Sequence, residues 1–317
     1  MPTRFLVSLG LVLGCATPGL AAPQVATDIA PVHSLVARVM EGVGAPALIV
    51  PPGASPHGHS MRPSEAAALD RAEVVFWMGE GLTPWLEAPI STLAGDAHVI
   101  ELLGAGGSDV RAFREGLAFA VKDADEHDDH EGHDEQGHDD HAGHDHDGAD
   151  PHAWLDPENA RAWLGVIAAE LAEHDPGNAD RYRANADAAT EELAALEAEI
   201  AARLTPVRDV PYVVYHDAYQ YFEARFGLAP TGAMALGDAA DPGPARIAAL
   251  RDAAQEAGIV CVFGEPQFGG ARIAAIFGDT VGHGVLDPLG SVHEPGAALY
   301  PALIEDMADA LAGCLGG

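Results

Sequence analysis

One long segment, Ala179–Leu204, contains neither Gly nor Pro and is rich in Ala, Glu, Leu and Arg. Within it, Leu193, Leu196 and Ile200 recur on one helical stripe. This composition predicts a single helix of about 26 residues, about 39 Å long and longer than the ordinary helix of a globular domain. Because the segment lies near the middle of the 317-residue chain, we interpret it as a strut between two lobes.

On both sides of this segment, the sequence repeats the order of short apolar strand, loop and amphipathic helix. Strand-like runs occur at 47–50 and 73–78 before it, and at 212–215 and 259–263 after it. Alternating strands and helices are typical of parallel sheets. We therefore expect an α/β fold of two Rossmann-like lobes with mostly parallel sheets, joined by one long backbone helix. Ligands should bind at the carboxyl ends of the strands.

The amino terminus has the features of a secretory signal peptide, residues 1–22. Arg4 precedes the apolar stretch 5–13, and the small residues at 19–22 form a cleavage zone. The residues before Cys15 also form a loose lipobox, which leaves a lipid anchor on Cys15 as the alternative. No later segment reaches the ~18 apolar residues of a membrane span. We expect the mature chain to be periplasmic and soluble.

After the signal peptide we expect an N-terminal lobe at 23–176, the linking helix at 177–205 and a C-terminal lobe at 206–317. Hydrophobic content of 48% with only 21% charged residues is sufficient for real cores. The formal net charge of -33 excludes nucleic acid and anionic lipid as partners, because both would be repelled. We expect a monomer that favours cationic ligands.

Inside the N-terminal lobe, residues 123–150 consist almost entirely of His, Asp, Glu and Gly. With no apolar residue larger than Ala, this loop should stay disordered and solvated. An acidic linker would explain the carboxylates but not the histidines, and imidazole is a common zinc ligand. We predict weak, multi-site binding of zinc or nickel. The histidines concerned are His127, His130, His133, His138, His141, His144 and His146.

Three other histidines lie where strand ends should meet. His57 follows the strand 47–50, His152 precedes a helix after the acidic loop, and His216 ends the strand 212–215. Since they come from both lobes, they could close a site between them. Three neutral imidazoles with one open position suit zinc, whereas manganese prefers more carboxylate. Taken singly, they could also be a turn residue, a helix cap and a core histidine.

Cys261 and Cys314 are the cysteines left after signal-peptide cleavage. Two lone cysteines in an oxidising compartment usually pair, so we expect a disulfide. A cysteine metal site is disfavoured because the sequence has no CxxC spacing and no histidine beside either residue.

Five motifs follow one another along the chain: GASPHGHSMRPS, DPHAWLDPENA, YHDAYQYFEARFGL, CVFGEPQF and LDPLG. In this order they resemble the periplasmic zinc-binding subunits of ABC importers (ZnuA type, cluster A-I metal-binding solute receptors). The similarity runs from about Asp28 to the C terminus, and that family has its own His-rich loop at the same place. The resemblance implies Zn²⁺ held between two lobes by His57, His152 and His216, and the disulfide between Cys261 and Cys314.

The resemblance leaves the fourth ligand open. Some members have an acidic residue before the first histidine, but here that position is Pro56. Asp287 stands where related receptors, particularly for manganese, use a carboxylate; a turn-capping role for Asp287, water or a loop histidine are the alternatives. His33 and His59 are expected to be auxiliary sites. A second zinc would have to depend on the loop, because TGAMALGD lacks the histidine that some members carry there.

The resemblance also implies a function without catalysis. The protein would bind Zn²⁺ with high affinity and deliver it to the membrane permease of a zinc ABC importer, with a periplasmic metallochaperone as a further partner. The His-rich loop would be a low-affinity collector or sensor. The alternatives are a metal-dependent adhesin or zinc buffer at the cell surface, and a zinc hydrolase. The hydrolase is disfavoured because the chain lacks HExxH and an obvious general base near the histidines.

Overall fold

The structure, a computed structural model, describes residues 22–114, 148–234, 248, 251–252, 254–266, 277–278 and 281–317. The predicted signal peptide up to residue 21, which includes Cys15, and the seven loop histidines lie outside the described residues. Within the described ranges, no helix combines the length and apolar character needed to cross a membrane.

A four-stranded parallel sheet forms the base of the N-terminal lobe. Its strands stand in the order β2-β1-β3-β4, where β1 is Val25–Thr27, β2 Ala47–Leu48, β3 Val74–Trp77 and β4 His98–Glu101. Helices α1 (Ala30–Val39), α2 (Pro63–Asp70) and α3 (Glu87–Leu93) follow the first three strands in turn. A crossover after each strand is what a parallel sheet requires. Every residue of β1 and β3 is buried, as expected for strands covered on both faces.

The C-terminal lobe repeats this plan with a second parallel sheet. Its order is β6-β5-β7-β8, where β5 is Tyr212–Val214, β6 Gly232–Ala233, β7 Cys261–Gly264 and β8 Gly282–Val285. The predicted α/β class with parallel sheets is confirmed. The sequence also predicts helices at 244–257 and from 271, and the structure describes only parts of these two segments.

The predicted strut is one 26-residue helix, α5 (Ala179–Leu204), with the predicted bounds. It packs along α4 (Pro157–His174) and also contacts α1 and the last helix, α7 (Leu299–Leu315), while the short helix α6 (Gln220–Phe226) follows β5. One apolar core runs through both lobes. A helix buried against both lobes fixes their relative position.

The lobes are also joined beside the strand ends. Trp154 Nε1 donates a hydrogen bond to Pro288 O at 2.7 Å, and Tyr300 OH donates to Trp154 O at 2.8 Å. Arg38 Nη1 donates to Ala297 O at 3.0 Å. These contacts connect the segment after β8 to the N-terminal lobe. The lobe limits 23–176, 177–205 and 206–317 stay predictions.

Cys261 in β7 and Cys314 in α7 form the predicted disulfide, with their Cα atoms 6.1 Å apart. The bond ties the last helix to the centre of the second sheet.

Candidate metal centre

The structure brings His57, His152 and His216 together at the cleft between the lobes. His57 lies in the 3₁₀ turn Pro56–Gly58 after β2, His152 precedes the turn Ala153–Leu155, and His216 follows β5. The ring centroids of His57 and His152 are 5.8 Å apart, and those of His152 and His216 are 5.5 Å apart. The row of three rings crosses from one lobe to the other.

The ligand nitrogens of the three histidines do not all lie within 4.8 Å of one another, so binding of one shared metal ion requires the rings to move. Imidazoles bound tetrahedrally to zinc at about 2.0–2.1 Å have ring centroids about 5 Å apart. The observed separations are slightly wider, so small side-chain rotations would bring the rings onto a common ion. His152 and His216 are only 4% and 6% exposed, whereas His57 is half-buried. The site is therefore shielded on two sides and reachable past His57.

Two buried carboxylates orient two of the rings. His152 Nδ1 is hydrogen-bonded to Asp150 Oδ1 at 2.7 Å, and His216 Nδ1 is hydrogen-bonded to Glu265 Oε1. Asp150 and Glu265 are 0% and 2% exposed. A histidine that binds a metal commonly donates its other ring N–H to a carboxylate, which fixes its tautomer and orientation. Each of these rings would then bind a metal through Nε2.

The sequence did not single out Asp150 and Glu265. Glu265 directly follows β7, the neighbour of β5, so the rule that selected His216 at a strand end applies to it as well. Asp150 is the first residue of the motif DPHAWLDPENA and lies two residues before His152, so the sequence already contained a signal for it.

The chain segments that precede and follow residues 115–147 meet beside this site. Ala112 and Ala149 form an antiparallel bridge, and Asp150 N donates to Arg111 O at 2.8 Å. From the other lobe, Gln220 Nε2 donates to Ala112 O at 3.0 Å and to Asp150 Oδ2. The carboxylate that supports His152 therefore also belongs to the base of the loop.

Asp287 lies in a turn after β8. Its Oδ1 accepts a hydrogen bond from Leu289 N at 3.1 Å, and its Oδ2 accepts from Ser291 N at 2.6 Å and from Ser291 Oγ at 2.7 Å. The carboxylate therefore caps the turn, which is one of the alternatives that the sequence left open. Its role as the fourth ligand stays a prediction.

Further acidic groups lie near Asp150 and Glu265, the two buried carboxylates that contact cleft histidines. Burial, followed by the charges of Glu265 and Asp287, raises the pKa of the Tyr219 hydroxyl well above its ordinary value. Burial also raises the pKa of Glu223 to about 7, although the Arg114 guanidinium, 2.7 Å from Glu223 Oε2, opposes this. Negative potential around neutral imidazoles favours a cationic ligand.

His33 and His59 have contacts of their own. His33 Nε2 lies within hydrogen-bond distance of Pro46 O, at 3.2 Å, and burial lowers its pKa. His59 Nε2 pairs with Glu65 Oε2 at 2.9 Å, and its ring lies 5.5 Å from that of Trp85. The structure does not place either ring in the row of three, and their auxiliary roles stay predictions.

Comparison with known proteins identifies relatives over nearly the whole chain. The high-affinity zinc uptake system protein ZnuA of Brucella abortus (strain 2308) is 42% identical over 304 residues, which cover 92% of this chain and 91% of the relative. The protein of the same name from Paracoccus denitrificans (strain Pd 1222) is 42% identical over 319 residues and 98% of each chain.

A crystal structure of ZnuA has the same fold. It superposes with a TM-score of 0.70 at 25% identity, covering 90% of this chain and 98% of that chain. Residues 25–314 match the family model ZnuA, zinc-uptake complex component A periplasmic. The matched range contains all three cleft histidines and both cysteines. The chain therefore belongs to the ZnuA family of periplasmic zinc-uptake complex components.

Proposed function

We propose that the protein binds Zn²⁺ with high affinity in the periplasm and delivers it to the membrane permease of a zinc ABC importer. Its family and the names of its relatives support zinc uptake. The observation that carries the binding site is the row formed by His57, His152 and His216. An uptake component is a binding protein and not an enzyme, so the zinc hydrolase alternative is rejected.

The donor set explains both selection and release. Three neutral imidazoles favour zinc over manganese, and the remaining position is left to water or a carboxylate. Cargo must also leave, so at least one ligand has to move. His57 is the most exposed of the three histidines and lies on a short turn in a loop, whereas His152 and His216 are buried. We infer that His57 detaches first when the metal is passed on.

The His-rich loop would collect zinc at low affinity and pass it to the cleft. Its composition supports metal binding, and its base shares Asp150 with the support of His152. A metallochaperone partner and a monomeric state stay predictions.

Changing the seven loop histidines to asparagine tests the division of roles. This variant keeps the chain length, the acidic residues and Asp150. We expect one tightly bound zinc to remain, undisplaced by excess Mn²⁺, while the weaker zinc ions are lost. The measurement is zinc stoichiometry by metal analysis after dialysis. Loss of the tight zinc together with the loop histidines would contradict a cleft site.

Glu265→Gln should lower zinc affinity about 10- to 100-fold, the usual effect of changing a residue that orients a metal ligand. Glutamine keeps the size of the side chain but removes the charge that holds His216. Competition against a chelator of known affinity measures the change. Glu294→Gln, an exposed change in the same lobe, is the control and should have no effect. Equal affinities for both variants would show that Glu265 does not support a metal ligand.

A further inference from the structure

Two histidines and a glutamate meet on the N-terminal lobe, outside the cleft. His98 is the first residue of β4, while Glu170 and His174 lie one turn apart at the end of α4. Within the described part of the chain, one ligand atom of each residue lies within 4.8 Å of the others. The ring centroids of His98 and His174 are 5.6 Å apart, similar to the spacing in the cleft. Three side chains of types that commonly bind metals therefore lie close together.

Glu170 is the centre of this cluster. Its Oε1 is hydrogen-bonded to His98 Nδ1 and lies 3.3 Å from His174 Nδ1. The Glu170 side chain is 13% exposed, whereas those of His98 and His174 are 59% and 28% exposed. The carboxylate is therefore held in place while both rings remain open to solvent.

The cluster is far from the cleft. His152 lies just before the start of α4, and α4 runs for 18 residues before it ends at His174. At 1.5 Å per residue this is about 27 Å. His98 lies at the amino end of its strand, whereas the cleft lies at the carboxyl ends. An ion at the cluster could not share ligands with the cleft.

The surroundings favour a cation. Glu173 is close enough to act electrostatically on His98. The last carbonyl groups of α4 lie around His174, and Glu170 O is 3.1 Å from His174 Nδ1. The carboxyl end of a helix carries partial negative charge, which stabilises nearby cations. The acidic side chains and the backbone carbonyl groups of this region therefore both attract a cation.

We propose that His98, Glu170 and His174 form a second, surface metal site for a divalent transition-metal ion such as zinc or nickel. Two imidazoles and one carboxylate suit these ions, whereas calcium and magnesium prefer oxygen ligands alone. Water completes the coordination. The affinity is lower than that of the cleft, because the two exposed rings lose conformational freedom on binding.

Protection of single histidines from diethyl pyrocarbonate tests this site in the full chain. Tryptic cleavage at Arg71 and Arg111 isolates His98 in a peptide without other histidines, and cleavage at Arg161 and Arg181 does the same for His174. Zinc bound to the loop or the cleft therefore does not interfere. We expect added Zn²⁺ to protect His98 and His174 over the same concentration range.

Two variants separate a metal site from a chance contact. Glu170→Gln should shift the protection of both rings to at least about tenfold higher zinc, since even a supporting partner changes metal affinity that much. His174→Ala should remove the protection of His98, although His98 itself is unchanged. Unaltered circular dichroism spectra would confirm that both variants are folded.

An ordinary surface histidine provides the reference. His293 pairs with one carboxylate, Asp306 Oδ2, at 2.7 Å, so it tests whether a single histidine–carboxylate pair is enough. We expect no protection of His293 where His98 and His174 are protected. The proposal is overturned if zinc that saturates the loop leaves His98 and His174 as reactive as before, or if Glu170→Gln leaves their protection unchanged.

Discussion

His216→Ala is expected to lower the affinity for Zn²⁺ by more than about 100-fold, beyond the usual effect of losing a residue that only supports a ligand. The change removes the one histidine that the second lobe gives to the row of three. It also leaves Glu265, which is 2% exposed, without the imidazole that pairs with it. Two imidazoles from the first lobe cannot complete a tetrahedral zinc site. Chelator competition on the loop variant described above measures the loss without background from the loop.

His59→Ala is the matched control for this prediction. His59 lies two residues from His57, but its Nε2 pairs with Glu65 and its ring packs beside Trp85. We expect this change to leave the affinity of the tight inter-lobe site unaltered and to remove at most a weaker, auxiliary site. The opposite pattern, with tight binding kept by His216→Ala and lost by His59→Ala, would place the metal on a His57–His59 pair within the first lobe. The inter-lobe site would then be wrong.

The long helix was predictable to the residue because its signals are local. Composition and one apolar stripe determine α5. The predicted strand 47–50 was too long: β2 ends at Leu48, while Ile49 and Val50 stay buried and donate their N–H groups to Thr27 O and Asp28 O. An apolar run shows which residues are buried, but a buried residue need not belong to the regular strand.

The strand β8 has no apolar run because its neighbour occupies the space. A Cβ on Gly284 would clash with the ring of Phe263 in β7, and a Cβ on Gly282 would lie 2.7 Å from Cys261 Sγ. Glycine is therefore required at the two positions of β8 that the side chains of Phe263 and Cys261 in β7 approach closely. Such a requirement comes from tertiary packing, so no local pattern in the sequence of β8 indicates it.

The candidate site also has residues that the sequence could indicate and contacts that only the folded chain produces. The positions of the three cleft histidines at strand ends and before a helix, together with the motifs around them, were sufficient to select them. Of the two carboxylates that contact these histidines, Asp150 is two residues from His152, whereas Glu265 is 49 residues from His216 and reaches it only because β7 lies beside β5. His98 and Glu170 are 72 residues apart and meet only because α4 packs beside β4. Composition and spacing do not contain that information.

Removing the disulfide with Cys261→Ala and Cys314→Ala is expected to lower the free energy of unfolding by about 4 kcal/mol, the chain-entropy value for a closed loop of this size. The bond spans 53 residues and joins β7 to α7. Denaturant titration of the metal-free protein measures the change. Zinc affinity should persist, since α7 also packs through buried Leu303, Ile304 and Met307. A loss below about 1 kcal/mol would mean that this packing alone fixes α7 and that the bond constrains the unfolded chain little.

Gly282→Ala gives an independent check that the two sulfurs determine the local packing. Its Cβ would lie 2.7 Å from Cys261 Sγ and 3.1 Å from Cys314 Sγ, so in the native chain this change should destabilise the fold. In the Cys261→Ala, Cys314→Ala background both sulfurs are gone, and the same change should cost less. We expect a coupling of at least about 0.5 kcal/mol between the glycine and the cysteine pair, as for residues in contact. Additive effects would mean that the clash with Val260 O, 3.3 Å from the same Cβ position, decides the cost instead.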